Sequence, residues 1–237
     1  MNEIKKTDGI KSWPRSERPR ELLLEKGSEY VSDAGLVAIL LRTGIKGKDA
    51  VTLGRELLKH FSGLRGLLNA NKKDLEEIKG LGTAKIAQLL AATEIAKRQL
   101  KEEIVGKTVI HGPEDVLEYL SLSMSNLKEE AFKVIYLNSA NVVLAAEDLF
   151  KGTIDQSAVY PREIIKRAFE LNASGLIFVH NHPSGNLEPS QYDLSLNEKL
   201  NKACHAVDLT PLDHLIIGPT GYISFTEKGI LVKTVNT

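Results

Sequence analysis

Two histidines, a serine and an aspartate lie close together in the segment VHNHPSGNLEPSQYD, residues 179–193. His180 and His182 directly follow the apolar run GLIFV, which predicts a short buried strand. Because alternate side chains of an extended backbone point to the same face, both imidazoles can reach one ion. Hydrolytic zinc sites typically hold the ion with three protein ligands and leave a fourth position open. The spacing therefore predicts a Zn²⁺ site at the end of this strand.

Asp193 is the candidate for the third zinc ligand. It lies eleven residues after His182, in the first turn of a predicted helix, and a loop of that length can return to the end of the strand. The residue has a second interpretation, because Ser190-x-x-Asp193 is a variant of the N-terminal capping box. Taken alone, this pair leaves the capping role and the ligand role of Asp193 open.

The complete pattern His-x-His-x₇-Ser-x-x-Asp, here His180 to Asp193, resembles that of the JAMM metalloproteases, which have a JAB/MPN domain. Further segments resemble the bacterial RadC family, whose traditional label is DNA repair. These segments are RPRELL, SDAGLVAILLRTG, GTIDQSAVYPREI, VHNHPSG and LDHLIIG. The resemblance covers nearly the whole chain and implies a helical N-terminal region joined to a zinc-dependent metallopeptidase domain.

The resemblance also implies a glutamate on an earlier strand that activates water. The candidate is Glu147 in VVLAAEDLFKGTID, with Glu163 and Glu170 on the next predicted helix as rivals. Glu147 would take a proton from water and return it to the leaving amine, and Ser190 would donate to the oxyanion. The substrate would be a protein or peptide of unknown identity. Eukaryotic deubiquitinating relatives carry Ser or Thr in place of Asn181, so their substrate preference does not transfer directly.

A glycine turn in the first half, LEEIKGLGTAKIAQLL, is typical of a helix-hairpin-helix at about residues 71–100. Gly80 and Gly82 would let the backbone approach a phosphate, and N–H groups at the start of the next helix would bind it. Lys79 and Lys85 add positive charge. The turn predicts DNA binding without sequence preference; a turn used only for packing within the protein is the alternative.

The charge distribution is uneven although the net charge is zero. Residues 1–101 hold 20 Lys and Arg against 13 Asp and Glu, a net of +7, whereas residues 102–237 hold 11 against 18, a net of −7. A basic first half and an acidic second half indicate two modules with different partners. The positive charge of the first module favours DNA over packing as the role of the glycine turn.

Hydrophobic periodicity also divides the chain in two. Residues 1–104 have helical patterns and predict an all-α domain that contains the helix-hairpin-helix. In residues 105–237, strands alternate with helices, which predicts an α/β domain whose mixed sheet is covered by helices on both faces. The family resemblance implies a JAB/MPN architecture, which is similar to that of cytidine deaminases.

Composition excludes several other classes of protein. The single cysteine, Cys204, excludes an intramolecular disulfide and fits a reducing compartment. No apolar run approaches the ~20 residues of a membrane span, so we expect a cytoplasmic protein with no membrane partner. A zinc deaminase is excluded as well, because it would need a Cys-x-x-Cys pair and the chain has one cysteine. Cys204 and His205 are adjacent on a predicted helix, where their side chains diverge by about 100°, so they do not form a nucleophilic pair.

The sequence thus predicts a RadC-like protein with a zinc-dependent JAMM hydrolase site, acting at or near DNA. The alternative is a DNA-binding repair or recombination accessory protein whose metal site is structural or vestigial. Metal-dependent turnover distinguishes the enzyme from an accessory protein that needs metal only for folding.

Overall fold

The computed structural model describes residues 9–106, 109–125, 127–151 and 159–231. The chain divides into two compact units, Met1–Ile95 and Ala96–Thr237. This division lies before the sequence-predicted boundary at 104/105 and falls inside a continuous helix, Thr83–Ile104. Residues 152–158, which carry part of the family resemblance, lie outside the described ranges. Within those ranges, no helix is both long and apolar enough to cross a membrane.

The first unit is built from helices, as predicted. They are α1 (Pro19–Lys26), α2 (Asp33–Leu41), α3 (Ala50–His60), α4 (Leu64–Leu68), α5 (Lys72–Glu76) and the first part of α6 (Thr83–Ile104). The Ser32 and Asp49 side chains accept backbone N–H groups at the starts of α2 and α3, which stabilises both helix ends. The apolar faces of the helices share a core that includes Leu41, Leu53 and Leu75.

The second unit is α/β, as predicted. Its further elements are α7 (Glu114–Met124), β1 (Ala131–Leu137), β2 (Val143–Lys151), α8 (Pro161–Glu170), β3 (Gly175–Asn181), α9 (Gln191–His205), β4 (Thr210–Gly218) and β5 (Gly221–Ser224). In the described residues the strands form one sheet with the order β2-β1-β3-β4-β5. β3 and β4 are parallel, and the other neighbouring strands are antiparallel. The predicted mixed sheet is confirmed.

Helices cover both faces of this sheet. On one face, α7 packs Val116 and Leu120 against the strands. On the other face, α8 and α9 contribute Ile164 and Leu200 to a separate core. Every residue of β3 is buried, because the strand is central and both of its faces are covered. At the end of β3, the His180 side chain faces the first turn of α9.

Candidate metal centre

The end of β3 and the first turn of α9 bring three potential metal ligands together. His180 Nε2 lies 3.1 Å from His182 Nε2 and 3.2 Å from Asp193 Oδ1. His182 Nε2 lies 3.4 Å from Asp193 Oδ2. These side chains form a group that could hold a metal ion. The structure thus places the three sequence-predicted ligands together.

Extended backbone gives the two imidazoles their common direction. His180 belongs to β3, and the His182 N–H continues the pairing with β4 by donating to the Ile217 carbonyl oxygen over 2.9 Å. Side chains at positions i and i+2 of such a segment leave the same face. The His182 ring is fixed further by its Nδ1, which lies 2.6 Å from the Asn186 carbonyl oxygen.

Asp193 caps α9 and also faces the two histidines, so the capping role does not exclude a ligand role. Ser190 caps α9: its Oγ accepts the Asp193 N–H at 3.2 Å, and its own N–H donates to Asp193 Oδ2 at 2.7 Å. The Ser190 hydroxyl also donates to Oδ2, at 2.6 Å. Oδ1 remains directed at His180. The capping box therefore orients the carboxylate toward the histidines, and the Ser190 hydroxyl proton is held by Asp193.

Hydrogen bonds and charges tune the ionisation of this cluster. Burial alone would raise the pKa of the Asp193 carboxyl. The neighbouring imidazoles of His180 and His182 and the Ser190 hydroxyl outweigh that effect and hold the pKa of this carboxyl well below its usual range. The hydrogen bond with Asp193 raises the pKa of His182 despite partial burial. Asp193 is therefore a carboxylate at neutral pH, the form in which it can bind a cation.

A third histidine stands behind the cluster. His214 on β4 is fully buried, and its Nε2 lies 2.9 Å from His180 Nδ1. Its Nδ1 lies 3.2 Å from Asn197 Oδ1 on α9. Burial lowers the pKa of His214 well below its ordinary value. The sequence contains no local signal for this contact, because His214 reaches His180 only through the pairing of β3 with β4.

Glu147 does not join this cluster. It lies on the edge strand β2, and both of its carboxylate oxygens accept hydrogen bonds from Arg167 on α8, at 2.7–3.1 Å. The rivals are also held in ion pairs, Glu163 with Arg162 and Glu170 with Arg167. None of the three glutamates considered from the sequence belongs to the group of potential ligands.

Glu130 is a carboxylate that the sequence interpretation missed. β1 and β3 are antiparallel with Phe132 opposite His180, so continuing this register by two residues places Glu130 opposite His182. The carboxylate of Glu130 contributes to the raised pKa of His182. The signal available in the sequence was a glutamate directly before the predicted strand AFKVIYLN, but it becomes informative only once the partner of that strand is known.

Asn181 fixes the segment that carries Glu130. Its Oδ1 accepts the Ala131 N–H at 2.8 Å, and its Nδ2 donates to the Glu129 carbonyl oxygen at 3.2 Å. The side chain is buried. The residue between the two histidines therefore ties the start of β1 to the end of β3.

Comparisons with known proteins agree with this arrangement. The family model of the RadC-like JAB domain matches residues 110–230, which include the whole cluster. The chain belongs to the RadC family. The UPF0758 N-terminal model matches residues 10–87. A UPF0758 protein of Nitrosospira multiformis is 48% identical over 222 residues, covering 94% of this chain and 99% of that protein. One of Pseudomonas fluorescens is 47% identical over 220 residues, covering 93% and 98%.

The four residues predicted to bind DNA all lie within the range matched by the UPF0758 N-terminal model and have different surroundings. At Gly80 φ is +91°, a conformation that favours glycine, and the Ile45 side chain, 2.6 Å from the position of an added Cβ, would have to shift. A Cβ on Gly82 would meet nothing within 4 Å. Lys79 is exposed. The Lys85 ammonium donates to the Leu41 and Thr43 carbonyl oxygens, at 2.8 and 2.6 Å. It thereby provides hydrogen-bond partners for carbonyl groups at and just after the end of α2.

Cys204 of the RadC-like JAB domain is expected to be unreactive in the folded protein. It is 1% exposed, and burial raises the pKa of its thiol to about 12, whereas its neighbour His205 is exposed. Because the thiolate is the reactive form, a thiol reagent at pH 8 should modify the unfolded chain completely and leave the native chain unmodified over the same period. Titration of free thiols with and without denaturant measures this. Rapid modification of the native protein would contradict a buried Cys204.

Proposed function

We propose that this RadC family member is a zinc-dependent hydrolase that cleaves amide or isopeptide bonds in a protein or peptide. The observation that carries the proposal is the geometry of His180, His182 and Asp193. Donor atoms about 2.0–2.2 Å from a tetrahedral zinc ion lie about 3.3–3.6 Å apart. The separations of His180 Nε2 from His182 Nε2, 3.1 Å, and from Asp193 Oδ1, 3.2 Å, come within a few tenths of an ångström of that range, while His182 Nε2 lies 3.4 Å from the other carboxylate oxygen, Oδ2. Two imidazoles and one carboxylate also form a known hydrolytic donor set.

The surrounding hydrogen bonds support the ligand roles. The Asn186 carbonyl oxygen can only accept, so His182 Nδ1 carries a hydrogen; a bound ion would replace the hydrogen that Nε2 shares with Asp193 in the metal-free cluster. Ser190 orients the Asp193 carboxylate. We therefore assign Ser190 to positioning rather than to the oxyanion contact expected from the sequence, because its hydroxyl proton is engaged by Asp193.

We assign Glu130 as the general base in place of Glu147. A bound zinc ion would polarise the scissile carbonyl and lower the pKa of water toward ~7. Glu130 lies across from His182, where its carboxylate would accept the proton of water and return it to the leaving amine. Glu147 is engaged by Arg167 on α8. Asn181 holds the start of β1, which keeps Glu130 beside the metal ligands.

Zinc content and turnover test this proposal together. The full chain, purified without added metal and after reconstitution with zinc, should contain about one zinc per chain by elemental analysis. A panel of peptide and isopeptide conjugates should then be cleaved in a chelator-sensitive manner. Failure to bind zinc after reconstitution would refute the proposal. Zinc that is required for folding, with no turnover on the panel, would support the alternative of an accessory protein with a structural metal site.

The glycine turn of the first unit supports a second proposal, binding of DNA through its phosphates. The specific observation is that a Cβ on Gly82, just before α6 begins at Thr83, would meet nothing within 4 Å, and the first N–H groups of a helix can bind an anion. The net charge of +7 over residues 1–101 favours the same partner. Lys79 remains a candidate contact, whereas Lys85 is engaged by carbonyl oxygens of its own unit.

Duplex DNA is expected to bind the full chain without sequence preference and with an affinity that falls steeply as salt rises, because phosphate contacts release counterions. Gly82→Val should weaken binding by obstructing the approach of a phosphate. Gly9→Val is the matched control, because a Cβ on Gly9 also meets nothing within 4 Å. Fluorescence anisotropy across a salt series measures both variants. Binding that is absent at low salt, or independent of salt, would assign the turn to packing alone.

A further inference from the structure

We propose that His214 and Asn197 are positioning residues that fix the tautomer of His180, so that the Nε2 lone pair of His180 is available to a metal ion. The inference deepens the proposed function and rests on zinc binding at His180. It assigns a task to a buried histidine and a buried asparagine that lie outside the group of potential ligands.

The hydrogen-bond donors can be assigned one after another from Asn197. Its Oδ1 only accepts, so His214 Nδ1, 3.2 Å away, carries a hydrogen. In a neutral imidazole the other nitrogen is an acceptor, so His214 Nε2 accepts from His180 Nδ1 over 2.9 Å. With its hydrogen on Nδ1, a neutral His180 keeps the lone pair on Nε2, the atom that faces His182 and Asp193.

The surroundings of His214 fix the orientation of this ring. It is 0% exposed. The rings of Phe132, Phe178 and Phe225 surround it, with centroids 5.9, 5.9 and 4.7 Å from its own. These apolar contacts keep water away from the two hydrogen bonds. Asn197 therefore determines, through His214, which nitrogen of His180 carries the hydrogen.

One helix supplies both a metal ligand and the start of this hydrogen-bond relay. Asp193 and Asn197 lie four residues apart on α9 and therefore share a face of the helix. Asp193 approaches the Nε2 side of His180, and Asn197 acts on its Nδ1 side through His214. The position of α9 against the sheet thus couples the orientation of the carboxylate to the tautomer of the imidazole.

A purely structural role for Asn197 predicts a different result from the relay. If Asn197 only fills space, Asn197→Leu should lower thermal stability and leave zinc affinity unchanged. If the relay operates, leucine removes the acceptor, His214 can move its hydrogen to Nε2, and His180 then carries its hydrogen on the nitrogen that should bind zinc. Loss of such an outer hydrogen bond lowers metal affinity by about 10–100-fold.

The same substitution one turn further along α9 is a matched control. Asn201 is partly buried and its Oδ1 has no hydrogen-bond partner, so Asn201→Leu makes the same change on the same helix without removing a hydrogen bond of the relay. Zinc affinity of the full chain would be measured by competition with a chelator, with thermal unfolding recorded in parallel. We expect Asn197→Leu to bind zinc about 10–100-fold more weakly and Asn201→Leu to match the wild type.

The tautomers of His180 and His214 can also be measured directly in the wild type, which tests the proposal even if Asn197→Leu does not fold. In ¹⁵N NMR spectra of the zinc-loaded wild type, His180 and His214 should each carry their hydrogen on Nδ1. A hydrogen on His214 Nε2, or an unchanged zinc affinity in folded Asn197→Leu, would overturn the relay while leaving zinc binding intact. A wild-type chain that binds no zinc would instead overturn the proposed function and the relay with it.

Discussion

Replacing His180 by alanine is expected to reduce zinc from about one ion per chain to nearly none, and to abolish hydrolysis at the same time. The substitution removes one of three ligands, and two remaining donors form an incomplete site. It also leaves His214 Nε2 without its partner in a fully buried position, which costs about 1–3 kcal/mol of stability. Elemental analysis, thermal unfolding and the conjugate panel would be measured on the same preparation.

His111→Ala is the control for the loss of a histidine, because His111 is exposed and lies outside the ligand group. It should keep its zinc and its turnover. A folded His180→Ala variant that retains a full equivalent of zinc would show that the ion binds elsewhere. A variant that loses zinc and keeps its activity would instead exclude zinc from the reaction.

Glu130→Gln is expected to lower hydrolysis by about 10²–10⁴-fold, the usual contribution of a general base, with zinc content and folding close to the wild type. Glutamine preserves the size of the side chain and its hydrogen bonding, but it cannot accept the proton. Since Glu130 is not among the three ligands, its replacement should separate loss of activity from loss of metal. Turnover and zinc content measured together test this expectation.

Glu147→Gln is the matched comparison, because it makes the same chemical change on the residue favoured by the sequence. Its partner Arg167 is 38% exposed, so loss of this ion pair should lower stability by at most about 1 kcal/mol and leave turnover unchanged. If Glu147→Gln abolished turnover and Glu130→Gln did not, Glu147 would be restored as the base. Loss of zinc from Glu130→Gln would make Glu130 a fourth ligand.

The candidate metal ligands are the part of the site that the sequence specified most fully. His180 and His182 could be paired because a strand has a period of two residues, which is a local property of the backbone. Asp193 followed from its spacing and its capping box, both contained within one loop and one helical turn. The division into a helical region and a mixed α/β sheet followed similarly from local periodicity.

Which residues lie next to those candidate ligands is determined only by the tertiary structure. The antiparallel register of β1 with β3, continued by two residues, places Glu130 opposite His182, and the parallel pairing of β3 with β4 brings His214 to His180. Arg167 of α8 engages Glu147 across the face of the sheet. Strand order and register depend on how apolar side chains distant in sequence share the two cores. The spacing of His180, His182 and Asp193 therefore determines the candidate ligands, whereas the packing of the sheet determines which carboxylate and which histidine stand beside them.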